Sequence, residues 1–233
     1  MRAPLRIAAA QPPCDAHDVA ANAQVHAEAV RAAKARVVAF PELSLTGYEL
    51  DAGALSPADA ALRPIVEACA ETGSIAFVGA PIEEDGQRFI AALRIDGAGA
   101  AVAYRKSHLG GDEPARFTPG DGPTAVTVDG WRLGLGICRD TGVAAHTAGT
   151  AELGVDVYVA GLVHLAEELE EQDARGRRIA AACRSYVAFA SFAGRTGGGY
   201  EATAGESTIW SPDGDVIARA SDEPGDIARA CLR

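Results

Sequence analysis

The chain has 233 residues, 48% of them hydrophobic, which fits one α/β domain over residues 1–233, and a second domain is not required. Its net charge of −11 argues against nucleic acid or an anionic membrane as a partner. Five scattered cysteines without a Cys-x-x-Cys pair are typical of reduced thiols in the cytoplasm, where we expect the protein. The five histidines show no metal-ligand spacing, so we expect no metal, and no cofactor is predicted.

Strand and helix patterns alternate along the first half of the chain. Hydrophobic periodicity predicts a strand at Leu5–Ala10, a helix from about Asp18 to Arg36, a short strand at Arg36–Phe40 and another at Ile75–Ala80. Ser56-Pro57 has the residue types of a helix start, with serine as the cap and proline in the first turn. A hairpin is predicted between Arg88–Ile95 and Ala100–Tyr104.

The second half continues the alternation. Asp129-Gly130 is a strong two-residue turn signal between strands Thr124–Val128 and Trp131–Ile137. A strand at Val155–Val159, a helix from Glu167 to about Arg184 and two strands flanking residues 211–214 follow. Hairpins mixed with helices predict a mixed sheet, or two packed sheets with helices outside, and not a purely parallel sheet.

Lys106 is one of only two lysines beside 19 arginines. A compact ammonium approaches a developing oxyanion more closely than a guanidinium does, and it can change its pKa when buried. Glu42 follows the apolar run 37–41, so it lies at the carboxyl end of a buried strand, where partial burial favours a general base. Glu113 has no such local signal, and a solvated loop is its default environment.

Cys138 follows the strand Trp131–Ile137 at a predicted strand-to-helix turn. Backbone N–H groups at such a turn favour a thiolate and can bind an oxyanion. The alternative for any free cysteine is a small buried hydrophobe, which we accept for the other four. A Cys–His site also remains open, because histidines 108, 146 and 164 lie near predicted strand ends.

Three segments in order resemble the carbon–nitrogen hydrolase (nitrilase) superfamily. They are Phe40-Pro41-Glu42-Leu43, Tyr104-Arg105-Lys106-Ser107-His108-Leu109 and Gly134-x-Gly136-Ile137-Cys138-Arg139-Asp140. Each motif alone is weak, and the ordered triplet is specific. Weaker matches near both ends extend the resemblance over nearly the whole chain.

The resemblance implies an α/β fold, a four-layer α-β-β-α sandwich with two mixed β-sheets. It implies a Glu-Lys-Cys triad at Glu42, Lys106 and Cys138, with Glu113 as a second glutamate that holds the lysine. It also suggests a homodimer, and the predicted helix 167–184 supplies Leu169, Ile179 and small alanines for packing between subunits.

The chain departs from the family pattern at three places. Arg139 stands where the family commonly has tyrosine or tryptophan, residues 141–144 replace Arg-Phe-Pro-Glu, and Ala180-Ala181-Ala182-Cys183 replaces Ala-x-Glu-Asn. These departures concern the substrate pocket and a structural ion pair. Tyr48, Arg139 and His164 are the predicted substrate-binding residues, and an arginine at 139 would suit a substrate carboxylate.

Cys138-Arg139-Asp140 looks more like the amide-hydrolysing branches than the nitrile-hydrolysing ones. We therefore expect an amidase whose partner is a small amide or carbamoyl compound. A nitrilase or an amide-forming acyltransferase on the same triad is the alternative enzyme, and a non-catalytic binding protein on the same fold is the other class.

Overall fold

The computed structural model describes residues 2–233, and its strands form two six-stranded mixed sheets. The first sheet consists of β1 (Leu5–Ala10), β2 (Val37–Ala39), β3 (Ile75–Glu84), β4 (Gln87–Asp96), β5 (Gly99–Arg105) and β14 (Ile227–Leu232). Their spatial order is β14-β1-β2-β3-β4-β5. The pairs β1–β2 and β2–β3 are parallel, and the other three pairs are antiparallel.

The second sheet repeats this arrangement. It consists of β6 (Thr124–Val128), β7 (Trp131–Ile137), β8 (Val157–Leu162), β9 (Tyr186–Ser191), β12 (Thr208–Trp210) and β13 (Val216–Arg219). The order is β13-β12-β9-β8-β7-β6, with β7–β8 and β8–β9 parallel. A short ribbon pairs β10 (Ala193–Gly194) with β11 (Thr203–Ala204).

Four α-helices cover the outer faces of the sheets. Helices α1 (Val19–Ala33) and α2 (Arg63–Thr72) pack on the first sheet, and α3 (Ala144–Glu152) and α4 (Leu169–Cys183) belong to the second half of the chain. Apolar side chains of both sheets, among them Ile7, Phe77 and Leu133, form the core between them. The fold is therefore the predicted α-β-β-α sandwich.

Most predicted elements are confirmed within a few residues. The hairpin across Asp129-Gly130 is paired in the predicted register. The helix start at Ser56-Pro57 is wrong: α2 begins at Arg63, after a 3₁₀ turn at Ala60–Leu62. The Ser56 hydroxyl instead accepts from the Ala58 N–H at 3.2 Å, which closes a local turn.

Helix α4 buries some of its apolar residues and leaves Leu169 partly exposed and Ala181 and Ala182 exposed. Ile179 and Ala180 are buried with Phe189 and Trp210, so they are not available for contacts between subunits.

No helix in the described part of the chain has the length and apolar composition needed to cross a membrane.

Candidate active site

The predicted reactive residues come together where strands of the two facing sheets end. Glu42 follows β2 and Lys106 follows β5, both in the first sheet, whereas Cys138 follows β7 in the second. The space between the two sheets at this end therefore receives a carboxylate, an ammonium and a thiol from distant parts of the chain.

Lys106 lies between two carboxylates. Its Nζ donates to Glu42 Oε1 at 2.6 Å and to Glu113 Oε1 at 2.7 Å. All three side chains are at most 1% exposed. One ammonium facing two carboxylates leaves one excess negative charge if both carboxyl groups are ionised, which is unfavourable in a buried site.

Burial and charge perturb the titration of this cluster. Burial raises the pKa of Glu42 well above its usual range, and the nearby Lys106 ammonium opposes that rise. For Lys106 burial favours the neutral form, but the charges of Glu42, Cys138 and Glu113 outweigh burial and raise its pKa. The lysine thus stays charged, while the carboxyl of Glu42 holds a proton more readily than an exposed glutamate.

Glu113 is buried, and the solvated loop that its local sequence favours is wrong. Its Oε2 accepts the Gly110 N–H at 2.8 Å, and its Oε1 accepts the Tyr48 hydroxyl at 2.6 Å as well as Lys106. Tyr48 was expected to bind substrate, and the structure places its hydroxyl on Glu113. The sequence carried no signal for this contact, because the two residues are 65 positions apart.

Two glycines, one in each sheet, leave room for the backbone segment just before Glu42. A Cβ on Gly79 of β3 would lie 2.3 Å from Pro41 O, and a Cβ on Gly161 of β8 would lie 2.5 Å from Phe40 O. The backbone that positions Glu42 therefore packs directly against both sheets. A glycine inside a predicted strand indicates such a close approach.

Cys138 has a strained backbone at a tight turn. Its φ is 39°, in the left-handed region that residues other than glycine rarely adopt. A 3₁₀ helix, Cys138–Gly142, begins at this residue, and the thiol donates to Val163 O at 3.5 Å. The side chain is only partly buried. The predicted strand-to-helix turn is confirmed, and it presents the sulfur beyond the end of β7.

Asp140 joins the lysine segment to the cysteine segment. Its carboxylate accepts from the Ile137 N–H at 3.0 Å, from the Tyr104 hydroxyl at 2.8 Å and from the His108 N–H at 2.9 Å. It is fully buried. This residue fixes Cys138 relative to Lys106, and the sequence analysis gave it no such role although it lies in the cysteine motif.

The histidines near the strand ends have other partners. His146 contacts the hydroxyls of Tyr104 and Tyr158, and His108 contacts Asp140. Over residues 2–233, no histidine nitrogen hydrogen-bonds to Cys138 Sγ, so the geometry does not provide a Cys–His pair.

His164 and Arg139, expected at the substrate, are not among the residues that line the cavity of about 590 Å³ beside Tyr48. His164 is 3% exposed, and its ring nitrogens face Gln172 Oε1 at 3.2 Å and Arg175 at 3.3 Å. Burial, and then Arg175, lower its pKa. The Arg139 side chain packs against Gly110, 3.1 Å from where a Cβ would stand.

An arginine of α4 lies beside one of the segments where the sequence departs from the family pattern. Gly142 and Ala182 stand at two of the positions where the sequence departs from the family pattern. The Arg175 guanidinium of α4 lies 3.1 Å from where a Cβ on Gly142 would be, and it reaches Thr141 Oγ1 at 3.5 Å. An arginine from the helix thus contacts the turn that carries Cys138.

A cavity of about 590 Å³ adjoins this cluster. Tyr48 and Tyr200 form part of its wall, with ring centroids 5.1 Å apart. The Tyr48 hydroxyl also donates to Glu113, so the side chain of Tyr48 lies between the cavity and the lysine–glutamate cluster.

Residues 6–232 match the carbon-nitrogen hydrolase family profile. The chain belongs to the carbon-nitrogen hydrolase family. This carbon–nitrogen hydrolase is 32% identical over 226 residues to the Pseudomonas protegens protein named "hydrolase in pqqF 5'region", covering 93% of this chain and 79% of that one. It is 28% identical over 127 residues to an (R)-stereoselective amidase of Pseudomonas sp., covering 53% of this chain and 46% of the amidase.

Solved structures share the fold of this carbon–nitrogen hydrolase. Saccharomyces cerevisiae Nit3, of the nitrilase superfamily, superposes with a TM-score of 0.87 at 20% identity, covering 99% of this chain and 90% of Nit3. The amidase of Nesterenkonia sp. AN1 gives 0.87 at 24% identity, with coverages of 98% and 93%. At these identities the likeness concerns the fold.

Proposed function

We propose that this carbon–nitrogen hydrolase is an amidase that cleaves a small amide through a thioester on Cys138. The observation that carries the proposal is the buried cluster of Glu42, Lys106 and Glu113, together with the nearby Cys138. This cysteine is partly exposed, and its backbone is strained. A mutant of the Nesterenkonia amidase, which has the same fold, was solved after Michael addition of acrylamide at its active-site cysteine. The Pseudomonas amidase supports the same reaction class.

Glu42 acts as the general base in this proposal. Its Oε1 is held by Lys106, while its Oε2 is buried and has no hydrogen-bond partner among the described residues. That oxygen is free to accept the thiol proton, and the raised pKa of the carboxyl group lets it hold the proton. The thiolate sulfur then attacks the carbonyl carbon and forms the C–S bond.

The negative charge that develops on the carbonyl oxygen needs donors. The Lys106 ammonium and the backbone N–H of Arg139 supply them, and such preorganised donors are usually the largest contribution to catalysis. When the tetrahedral intermediate collapses, the C–N bond breaks and protonated Glu42 gives its proton to the departing nitrogen. Glu42 next takes a proton from water, whose oxygen attacks the thioester carbon. The C–S bond then breaks to release the acid, and Glu42 returns its proton to the Cys138 thiolate.

Glu113 positions Lys106. It contacts the ammonium, the Gly110 N–H and the Tyr48 hydroxyl, so its carboxylate is fixed from three sides. A fixed second carboxylate keeps the lysine charged and leaves Glu42 free to exchange protons. This division of labour gives the two glutamates different roles in one cluster.

The test measures ammonia release from matched amides and nitriles, with Cys138→Ala as the inactive variant. Cys183→Ala is the control, because Cys183 is also a partly buried free cysteine but donates to Thr147 O on α3. We expect activity on amides only, loss in Cys138→Ala, and an acyl adduct on Cys138 by mass spectrometry. Faster release from the nitriles would refute the amidase assignment, and full activity of Cys138→Ala would refute the mechanism. If an added amine traps the acyl group faster than water does, the enzyme is an acyltransferase.

A further inference from the structure

The walls of the 590 Å³ cavity are acidic. Glu49, Asp51 and Asp112 contribute three carboxylates, and Arg116 contributes the one guanidinium among the described lining residues. The whole chain has a net charge of −11, so no distant excess of positive charge offsets these walls. A cavity lined in this way attracts a cationic group and repels an anionic one.

Tyr48 connects the cavity with the cluster of Glu42, Lys106 and Glu113. Tyr48 belongs to its wall and donates to Glu113, which holds Lys106. Tyr200, on the same wall, lies close enough to Cys138 and Glu42 that, after burial, their charges contribute to raising its pKa. The buried Glu42 Oε2, which has no hydrogen-bond partner among residues 2–233, is the oxygen proposed above to take the thiol proton.

The three carboxylates of the cavity wall differ in their hydrogen-bond and charge partners. Glu49 Oε1 accepts the Gly198 N–H at 3.0 Å, so this side chain supports the wall as well as charging it. His17 lies 3.8 Å from both Glu49 and Asp51 and adds a positive charge there when it is protonated. Asp112 precedes the Glu113 turn, is exposed, and makes no capping hydrogen bond through its side chain.

We propose that this cavity selects amides whose acyl portion carries a protonated amine, and that Asp51 and Asp112 determine this preference. The proposal rests on the amidase function proposed above and names its substrate class. The amide group enters past Tyr48 towards Cys138, and the ammonium remains between the acidic walls. Arg139 packs against Gly110 and is not one of the residues that line the cavity.

Three amides with the same carbon spacing provide the test. γ-Aminobutyramide carries an ammonium, valeramide is neutral, and glutaramate carries a carboxylate. Hydrolysis is measured at pH 8, where an aliphatic amine such as that of γ-aminobutyramide is protonated. At about 8 Å in a solvated cleft, one carboxylate changes the preference for a cation roughly threefold. Two uncompensated carboxylates therefore predict that kcat/KM is about tenfold higher for the cationic amide than for valeramide at low salt, decreasing as salt is added.

Charge-removing variants assign the effect to residues. Asp51→Asn and Asp112→Asn should each reduce the cationic preference about threefold, while Arg116→Gln should increase it by a similar factor. Glu28→Gln is the matched control, because Glu28 is an exposed carboxylate on α1, away from the cavity lining. It should leave all three rates unchanged.

Binding to Cys138→Ala separates this proposal from the proposed function. Calorimetry with the same three amides reports selection by the cavity even if none is hydrolysed. The proposal is supported if γ-aminobutyramide binds more tightly than the other two amides and if Asp112→Asn, added to Cys138→Ala, weakens that binding. This result supports the proposal whether or not any of the amides is hydrolysed. If valeramide or glutaramate binds as tightly and reacts as fast, the proposal is wrong while the amidase function stands. If the cationic preference persists in both aspartate variants, these residues do not determine it.

Discussion

His26 couples the stability of this protein to pH at the loop that carries Glu42. The side chain lies on α1 and is fully buried, with its ring centroid 4.4 Å from that of Phe40. Its Nδ1 lies 2.6 Å from Asn22 O and therefore donates, so Nε2 accepts from the Ser44 hydroxyl at 2.8 Å. Protonating Nε2 would replace this acceptor by a donor in a site without water access.

Burial lowers the pKa of His26 from 6.5 to about 4, although the bond to Asn22 O opposes this. Between these two values the unfolded chain binds a proton that the folded protein does not. The stabilising contribution is therefore fully present above pH 6.5 and is lost as the pH falls towards 4. The total is about 3 kcal/mol, and about 2 kcal/mol of it is lost between pH 7 and pH 5.

Urea unfolding of the wild type and of His26→Gln at pH 7 and pH 5 tests this reasoning. We expect the wild type to lose about 2 kcal/mol more on acidification than the variant does, because the amide does not titrate. Other titrating groups are common to both proteins and cancel in the comparison.

Ser44→Ala is the control for this experiment. It removes the hydrogen bond to Nε2 but keeps the imidazole, so it should lower the free energy of unfolding at both pH values and keep most of the pH dependence. Equal acid sensitivity of the wild type and His26→Gln would refute the assignment. So would a His26 pKa near 6.5 in the folded protein, measured by NMR.

Three further predictions concern the site and the assembly. Lys106→Arg should lower kcat by a factor of about 10²–10³, because a planar guanidinium does not fit the place of the ammonium between Glu42 and Glu113. Near-normal steady-state kinetics would mean that only the positive charge of this residue matters. Gly161→Ala should reduce the free energy of unfolding in urea by about 1–3 kcal/mol and lower kcat, because the added Cβ would displace the backbone at Phe40 and Glu42. An unchanged free energy of unfolding and an unchanged kcat would show that the backbone there has room for a Cβ. The protein should form a homodimer, with twice the mass of one chain by light scattering at micromolar concentration, and a monomeric mass would contradict this.

Local patterns determined much of the architecture. The turn at Asp129-Gly130 and the alternation around it specified one hairpin to the residue, since such turns depend on backbone preferences of adjacent positions. The start of α2 was mispredicted because Ser56 and Pro57 suit either a turn or a helix cap, and the choice depends on which apolar residues pack on the sheet.

For the site, the sequence by itself predicted Glu42, Lys106 and Cys138 as the reactive residues, because the three segments that contain them resemble the family's motifs in order. Only the tertiary structure decided what surrounds them. The Tyr48 hydroxyl on Glu113 and the Arg175 guanidinium against Gly142 join residues far apart in the chain. The acidic cavity walls come from two separate loops as well. Burial and charge act through space, so the pKa of Glu42 and the charge that a substrate meets depend on long-range contacts that no local pattern contains.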